Sequence, residues 1–287
     1  MRQTLRAMAL AAVTISYIQF TGLPAAAETL YARGKYLVET IAACGNCHTP
    51  MGPKGPIMAR ALSGGPPLVE AGFKAFATNI TPDKETGIGK WTDAQIIRAI
   101  REGVRPDGSI IRPPMPFELY RKLSDRDVKA MVVYLRRVKP IRARSPKSEY
   151  KIPLPKSYGP PVGRVAEVPR TDKVAYGAYL AGPVGHCMAC HSPIVRGRIV
   201  WERVGAGGEK FHGPWGVSVS RNITPHKTDG LGAWSDAEIK RAITKGITKD
   251  GSKLLAPMPY HSYAGMTPAD LDALVAYLRS LKPLVTN

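Results

Sequence analysis

Apolar positions recur at helical spacing in two places. Val128, Met131, Val132 and Leu135 form one i, i+3, i+4, i+7 stripe, and Leu271, Leu274, Val275 and Leu278 form another. Such a stripe marks a helix with one buried face, predicted to start at Ser124 in the first case and Thr267 in the second. Upstream, Thr92-Asp-Ala-Gln95 and Ser235-Asp-Ala-Glu238 are capping boxes. The helices they open are expected to stop at Gly103 and Gly246, which suit the left-handed position after a helix end. Residues 31–43 and 174–182 read as a further helix pair. Strand-like alternation is scarce, so the pattern predicts an all-α protein with long loops. One more apolar stretch, Ala7 to Phe20, follows Arg2 and Arg6 and precedes Ala25-Ala-Ala27. That is the plan of a secretory signal over residues 1–27. The stretch is too short and alanine-rich for a membrane span.

The paired elements belong to a tandem duplication. Cys44, His48, Asn79, Trp91, Met115 and Leu135 each have a counterpart 143 positions later, at Cys187, His191, Asn222, Trp234, Met258 and Leu278. A repeat this long is a domain rather than a solenoid unit. The expected organisation is a first domain over 28–142, a proline-rich linker over 143–170 and a second domain over 171–287. Pro140 to Arg170 contains seven prolines, a composition that favours extended chain.

All four cysteines fall in two runs, Cys44-Gly-Asn-Cys47-His48 and Cys187-Met-Ala-Cys190-His191. C-x-x-C-H is the attachment signature of c-type haem. Each thiol of a pair can add to one porphyrin vinyl group, and the next histidine falls under the iron. The chain is therefore expected to carry two covalently bound haem c groups through Cys44, Cys47, Cys187 and Cys190, with His48 and His191 as iron ligands. Two C-x-x-C pairs can also build a tetrahedral zinc cage, and an exported chain can form disulfides. Neither alternative explains the histidine after each pair or the matched residues downstream.

A histidine-bound haem iron in an electron carrier takes a second axial ligand, commonly methionine. Of nine methionines, Met1 and Met8 lie in the leader, Met188 is inside the attachment loop, and Met131 sits on the apolar stripe. Met51, Met58 and Met266 have no counterpart in the other half. Met115 and Met258 match each other, and each lies between prolines, which stiffen a loop. They are the expected sixth ligands. His261 is a rival at the second site, where the first half has Glu118. Trp91 and Trp234, just before the helix caps, could donate an indole N–H to a haem propionate or simply pack.

The formal charge is +19, or +17 once Arg2 and Arg6 leave with the signal. Nucleic acid is a poor partner for an exported haem protein. A basic surface near a haem edge would steer acidic redox partners, and a generally basic, solvated surface is the plainer reading. Aromatic content is low at 7%, so haem is expected to supply much of each core. Each domain should lose its compact fold without it.

The units resemble class I cytochrome c domains. Gly34-x-Tyr36-Leu37 and Gly177-x-Tyr179-Leu180 look like that family's first helix, whose glycine permits close crossing by the last helix. The segments Asn79-Ile-Thr-Pro-Asp83, Gly87-Ile-Gly-Lys-Trp91-Thr-Asp93 and Pro257-Met-Pro-Tyr260 are similar to the cytochrome subunits of bacterial membrane-bound alcohol, sorbitol and gluconate dehydrogenases. Those subunits typically carry three haem domains and a C-terminal membrane anchor, whereas two haem motifs occur in this sequence. The family's Pro-Phe-Gly survives as Pro214-Trp-Gly216, and the first unit reads Ala71-Gly-Phe73 at that place.

The resemblance implies a periplasmic dihaem electron carrier. Its partners would be redox proteins: a dehydrogenase subunit or quinol-linked donor, and other cytochromes or an oxidase as acceptor. It could associate peripherally with a complex at the inner membrane. The alternative is a dihaem redox enzyme of the peroxidase or thiosulfate dehydrogenase type, which needs a displaceable distal ligand.

Overall fold

A computed structural model of the chain describes residues 28–70, 72–213 and 215–286. The proposed signal segment lies outside the described residues, as do Ala71 and Pro214. Each half is built on the same five helices. In the first, α1 (Leu30–Tyr36) starts at Thr29, whose side chain accepts from the Ala32 N–H. It runs on through a π-helical turn at Leu37–Ile41 into α2 (Cys44–His48). Then come α3 (Asp93–Glu102), α4 (Phe117–Tyr120) and α5 (Asp125–Leu135). The second half repeats the series as α6 (Lys173–Tyr179) with a π turn at Leu180–Val184, α7 (Cys187–Cys190), α8 (Asp236–Lys245), α9 (Tyr260–Tyr263) and α10 (Pro268–Ser280).

Both capping boxes are formed, and both stop glycines are left-handed, with φ of 67° at Gly103 and 65° at Gly246. Ser124 and Thr267 cap α5 and α10. The first and last helices of each unit cross so closely that only glycine fits. A Cβ on Gly34 would lie 1.8 Å from the Ala130 carbonyl oxygen, and one on Gly177 would lie 1.9 Å from that of Ala273. Around these crossings the apolar stripes close the core, with Leu37, Val128 and Val132 buried in the first unit and Leu180, Leu274 and Val275 in the second.

The all-α expectation does not hold. The framework is helical, but the loops between α2 and α3, and between α7 and α8, fold into short antiparallel hairpins. In the first unit β1 (Met51–Gly52) pairs with β2 (Gly55–Pro56), and β3 (Pro67–Glu70) with β4 (Phe73–Phe76). β5 (Glu149–Tyr150) adds to the open edge of β4. The second unit has β6 (Ile194–Val195) with β7 (Arg198–Ile199), and β8 (Lys210–Gly213) with β9 (Gly216–Val219). These strands are two to four residues long. None of β3's residues is buried, so there is no inner face for an alternating pattern to announce.

The proline-rich segment is extended, and it is laid against the first unit as a strap. Beyond the β5 pairing, the Val162 N–H donates to Glu102 (2.9 Å) and the Asp125 N–H to the Val165 carbonyl (2.9 Å). The two units also pack on each other about a pseudo-twofold axis. Tyr36 of α1 donates its hydroxyl proton to Asp270 (2.6 Å) and accepts from the Thr267 N–H (3.0 Å). Tyr179 of α6 does the same with Asp127 (2.8 Å) and the Ser124 N–H (3.1 Å). Burial, with the acidic partner adding to it, holds both phenols above their ordinary pKa. One clasp is reinforced: Arg33 forms a buried bidentate ion pair with Asp127, both contacts 2.8 Å. The matching residue in the second unit is Tyr176.

Candidate haem sites

Both attachment loops begin with a residue in a costly backbone conformation. Ala43 has φ of 45° and His186 φ of 42°, where a side-chain-bearing residue costs roughly 1–2 kcal/mol. Strain of this kind persists where the surrounding structure imposes it, often at functional positions. Each loop is then pinned from outside. The Gly64 N–H donates to the His48 carbonyl, and the Gly207 N–H to that of His191, both at 2.9 Å.

The two imidazoles are held identically. His48 Nδ1 lies 2.7 Å from the Thr78 carbonyl oxygen, and His191 Nδ1 lies 2.7 Å from that of Arg221. A carbonyl only accepts, so Nδ1 carries the proton and Nε2 keeps the lone pair a metal needs. Burial lowers both pKa values, while the carbonyl pulls the other way. The net result is a neutral ring.

The carbonyls that orient these rings were not foreseen, nor was the device that fixes them. Asn79, next to Thr78, accepts from the Thr81 N–H (2.9 Å) and hydroxyl (2.7 Å) and donates to the Ile141 carbonyl (2.7 Å). Asn222, next to Arg221, repeats this with Thr224 and the Leu284 carbonyl. Each asparagine thereby ties the histidine-orienting strand to the chain leaving the last helix. The repeated Asn-Ile-Thr-Pro segments were the available signal, but a sequence does not say which carbonyl a histidine will find.

Burial pushes the Cys44 and Cys187 thiols up to about 12, with the paired cysteine adding to the effect, and Cys190 to about 11. Cys47 is also raised by burial, since its accessible surface opens into a deep cavity rather than bulk water. These are protonated thiols, whereas zinc is held by thiolates. None of the four cysteines is in a disulfide. Among the described residues, no three His, Cys, Asp or Glu side chains converge to hold a metal ion. Cys47 is among the groups that raise Cys190, so the two attachment loops approach each other across the interface.

Both loops open into one continuous cavity of about 2910 Å³. Close-packed interiors leave few voids larger than a water molecule, so a space of this size points to large partners. Met115 and Met258 both line it, as do Trp91 and Trp234. Neither indole N–H has a hydrogen-bond partner among the described residues. Pro114 and Pro257 both follow cis peptide bonds. Met131 and Met266 also reach the wall, but both are buried in the core. Met51 and Met58 are exposed. His261 is exposed and tilted against Tyr260, with ring centroids 4.1 Å apart.

The residues present fit a pair of thioether-linked porphyrins. Each half of the cavity brings together two protonated thiols, one imidazole with Nε2 free, one thioether and apolar walls that include Ile96 and Leu135, or Ile239 and Leu278. Arg105 and Arg112 on the first wall, and Arg221 and Lys253 on the second, suit the carboxylates a haem carries.

Comparisons with known proteins agree. The family described as "Cytochrome c" matches residues 174–282, and that described as "Cytochrome C oxidase, cbb3-type, subunit III" matches residues 29–135. The chain belongs to the cytochromes c, as two such domains in tandem. It carries two covalently bound haem c groups. It is 33% identical over 268 residues to the fructose dehydrogenase cytochrome subunit of Gluconobacter japonicus, covering 87% of this chain and 52% of that one. It is 30% identical over 270 residues to the cytochrome c subunit of the quinone alcohol dehydrogenase of Gluconobacter oxydans, covering 88% and 55%. A dihaem cytochrome c-type protein of Cereibacter sphaeroides is 27% identical over 253 residues, covering 82% and 81%. The chain thus spans about half the length of the dehydrogenase subunits and four-fifths of the dihaem protein. Among the described residues, no helix is long and apolar enough to cross a membrane.

Proposed function

We propose that this protein is an exported dihaem electron carrier, with Cys44, Cys47, Cys187 and Cys190 as thioether donors. His48 with Met115, and His191 with Met258, would be the axial pairs. The observation that carries the reading is the matched geometry of the two cavity halves. Each imidazole is locked by its Nδ1 hydrogen bond with a proline-flanked methionine on the same wall. When bound, each haem supplies a one-electron couple. The protein's part is ligation, burial and orientation. His48 and His191 are held to one ring plane, the apolar walls exclude water, and the basic wall residues meet the propionates. The continuous cavity also supports internal transfer, since no folded wall divides the two halves.

Electrons would come from a dehydrogenase or a quinol-linked donor and go to another cytochrome or an oxidase of a respiratory chain. The relatives named as dehydrogenase subunits support that donor class. Residues 1–27 would export the chain to the periplasm, where it could sit peripherally on an inner-membrane complex. The test is stepwise reductive titration of matured protein. Two electrons per chain, with low-spin spectra throughout, support a carrier. Turnover with peroxide or thiosulfate, accompanied by a high-spin haem, would support the enzyme instead.

A further inference from the structure

The basic excess is not spread evenly over the folded surface. Between residues 136 and 156 there are eight lysines and arginines and one acidic residue, Glu149. Arg136 is paired with Asp93 (2.9 Å), and Arg142 lies near Asp83 and Glu85, lowering both carboxylates. Arg144, Lys147, Lys151 and Lys156 are exposed, and none has an acidic partner within ion-pair distance among the described residues. These four sit on the strap. The strap also walls the first unit's half of the cavity through Pro146, Lys147, Tyr150 and Pro153. A row of free cations therefore borders the first haem site. The second site's wall instead carries exposed apolar side chains, among them Ile194, Val217, Val219 and Leu255.

We infer that the strap is a docking surface for an acidic one-electron redox protein, which exchanges electrons with this chain at the first haem site rather than the second. This rests on the carrier reading above. A cluster of like charges beside a redox site raises encounter rates with an oppositely charged partner by 10- to 1,000-fold, an effect that salt removes. At about 0.1 M salt the screening length is roughly 10 Å, so only cations close to the docking site contribute. The strap meets that condition for the first site. A lipid surface is the weaker occupant. The strap is extended chain with no amphipathic helix to lie in a bilayer interface.

The experiment uses the matured dihaem protein and reduced flavodoxin, a strongly acidic one-electron donor, as probe. One variant combines Arg144→Glu, Lys151→Glu and Lys156→Glu, leaving out Lys147 because it lines the haem cavity. The control combines Lys227→Glu, Lys245→Glu and Lys282→Glu, exposed cations of the second unit. The strap variant should be reduced by flavodoxin at least tenfold more slowly at low salt, with a flattened salt dependence. The control should stay within about twofold of the parent. Neutralising the same strap residues to Gln should give an intermediate rate. Equal losses in strap and control variants would overturn the proposal. So would an unchanged flavodoxin rate combined with lost binding to phosphatidylglycerol vesicles, which would make the strap a lipid surface. Reduction by a neutral hydroquinone isolates the underlying reading. If all variants still take two electrons per chain from it, the carrier stands whatever the docking result.

Discussion

Around Met115 the loop carbonyls are tied down, while around Met258 the matching ones are not. Tyr150 and Tyr158, both on the strap, donate to the Pro113 carbonyl (2.7 Å) and the Ile111 carbonyl (2.9 Å). Tyr158 also packs on Phe117, with centroids 4.6 Å apart. In the second unit the equivalent carbonyls, of Leu254 and Ala256, accept no side-chain hydrogen bond among the described residues. That loop is touched instead by Asn46 of the first unit, whose amide donates to the Pro257 carbonyl at 3.4 Å. The duplicated units share every group proposed to bind haem. They differ in what braces the loop bearing the sixth ligand, so equal ligands need not be equally displaceable.

The comparison breaks most completely at the attachment cysteines. Cys44→Ala with Cys47→Ala, or Cys187→Ala with Cys190→Ala, should each halve the haem content. Calorimetry should then show the cooperative transition of the untouched unit alone. A fully cooperative haem-free unit would mean its core closes on side chains only.

Arg33 separates the units next. It is buried against Asp127, with side-chain exposures of 3% and 5%. Burial disfavours both charges, but the hydrogen bonds between them outweigh it, so Arg33 is raised and Asp127 lowered. Arg33→Met leaves an unpaired buried carboxylate and should cost roughly 3–5 kcal/mol, read as a shift in denaturation midpoint. Asp127 titrates below its ordinary value of 3.8. Its contribution is therefore complete above about pH 3.8 and lost as pH falls through the lower folded value. In Arg33→Met that acid-sensitive component should shrink.

The clasps predict a smaller, asymmetric pair of effects. Tyr36→Phe strips the phenol hydrogen bond from Asp270, which is 4% exposed, and should cost about 1.5–3 kcal/mol. Tyr179→Phe leaves Asp127 held by Arg33 and should cost about 1 kcal/mol. Equal costs in urea unfolding would show that Arg33 does not substitute for the lost hydroxyl.

The finest test concerns the methionine loops. In the parent, added imidazole should displace the ligand at the second haem more readily than at the first. Tyr150→Phe with Tyr158→Phe removes two hydrogen bonds, each worth about 0.5–1.5 kcal/mol. That should raise displacement at the first haem roughly five- to a hundredfold and erase the difference. Two equally inert haems in the parent would contradict the bracing account.

What the sequence made legible follows its local signals. The capping boxes, stop glycines and apolar stripes each state a helix within a dozen residues, and all are formed. Gly34 and Gly177 could be matched to a close crossing because a helix contact there leaves no alternative residue. The hairpins had no periodic signature, since their strands are short and solvent-facing. The strap read as a linker because proline content reports extended chain but not whether something binds it. The reciprocal tyrosine clasps depend on contacts such as Tyr36 with Asp270, 234 positions apart, which no local pattern encodes. The attachment motifs were plain in the chain. The carbonyls that set the imidazoles emerged only once the loops were folded.

The account turns on the ligands of the two irons. Near-infrared absorbance of the oxidised, matured protein measures the sulphur–iron bond directly. Two such bands' worth per chain are predicted, falling by half in Met115→Ala and by half in Met258→Ala. A spectrum with no sulphur–iron band, or one unchanged in both variants, would contradict it.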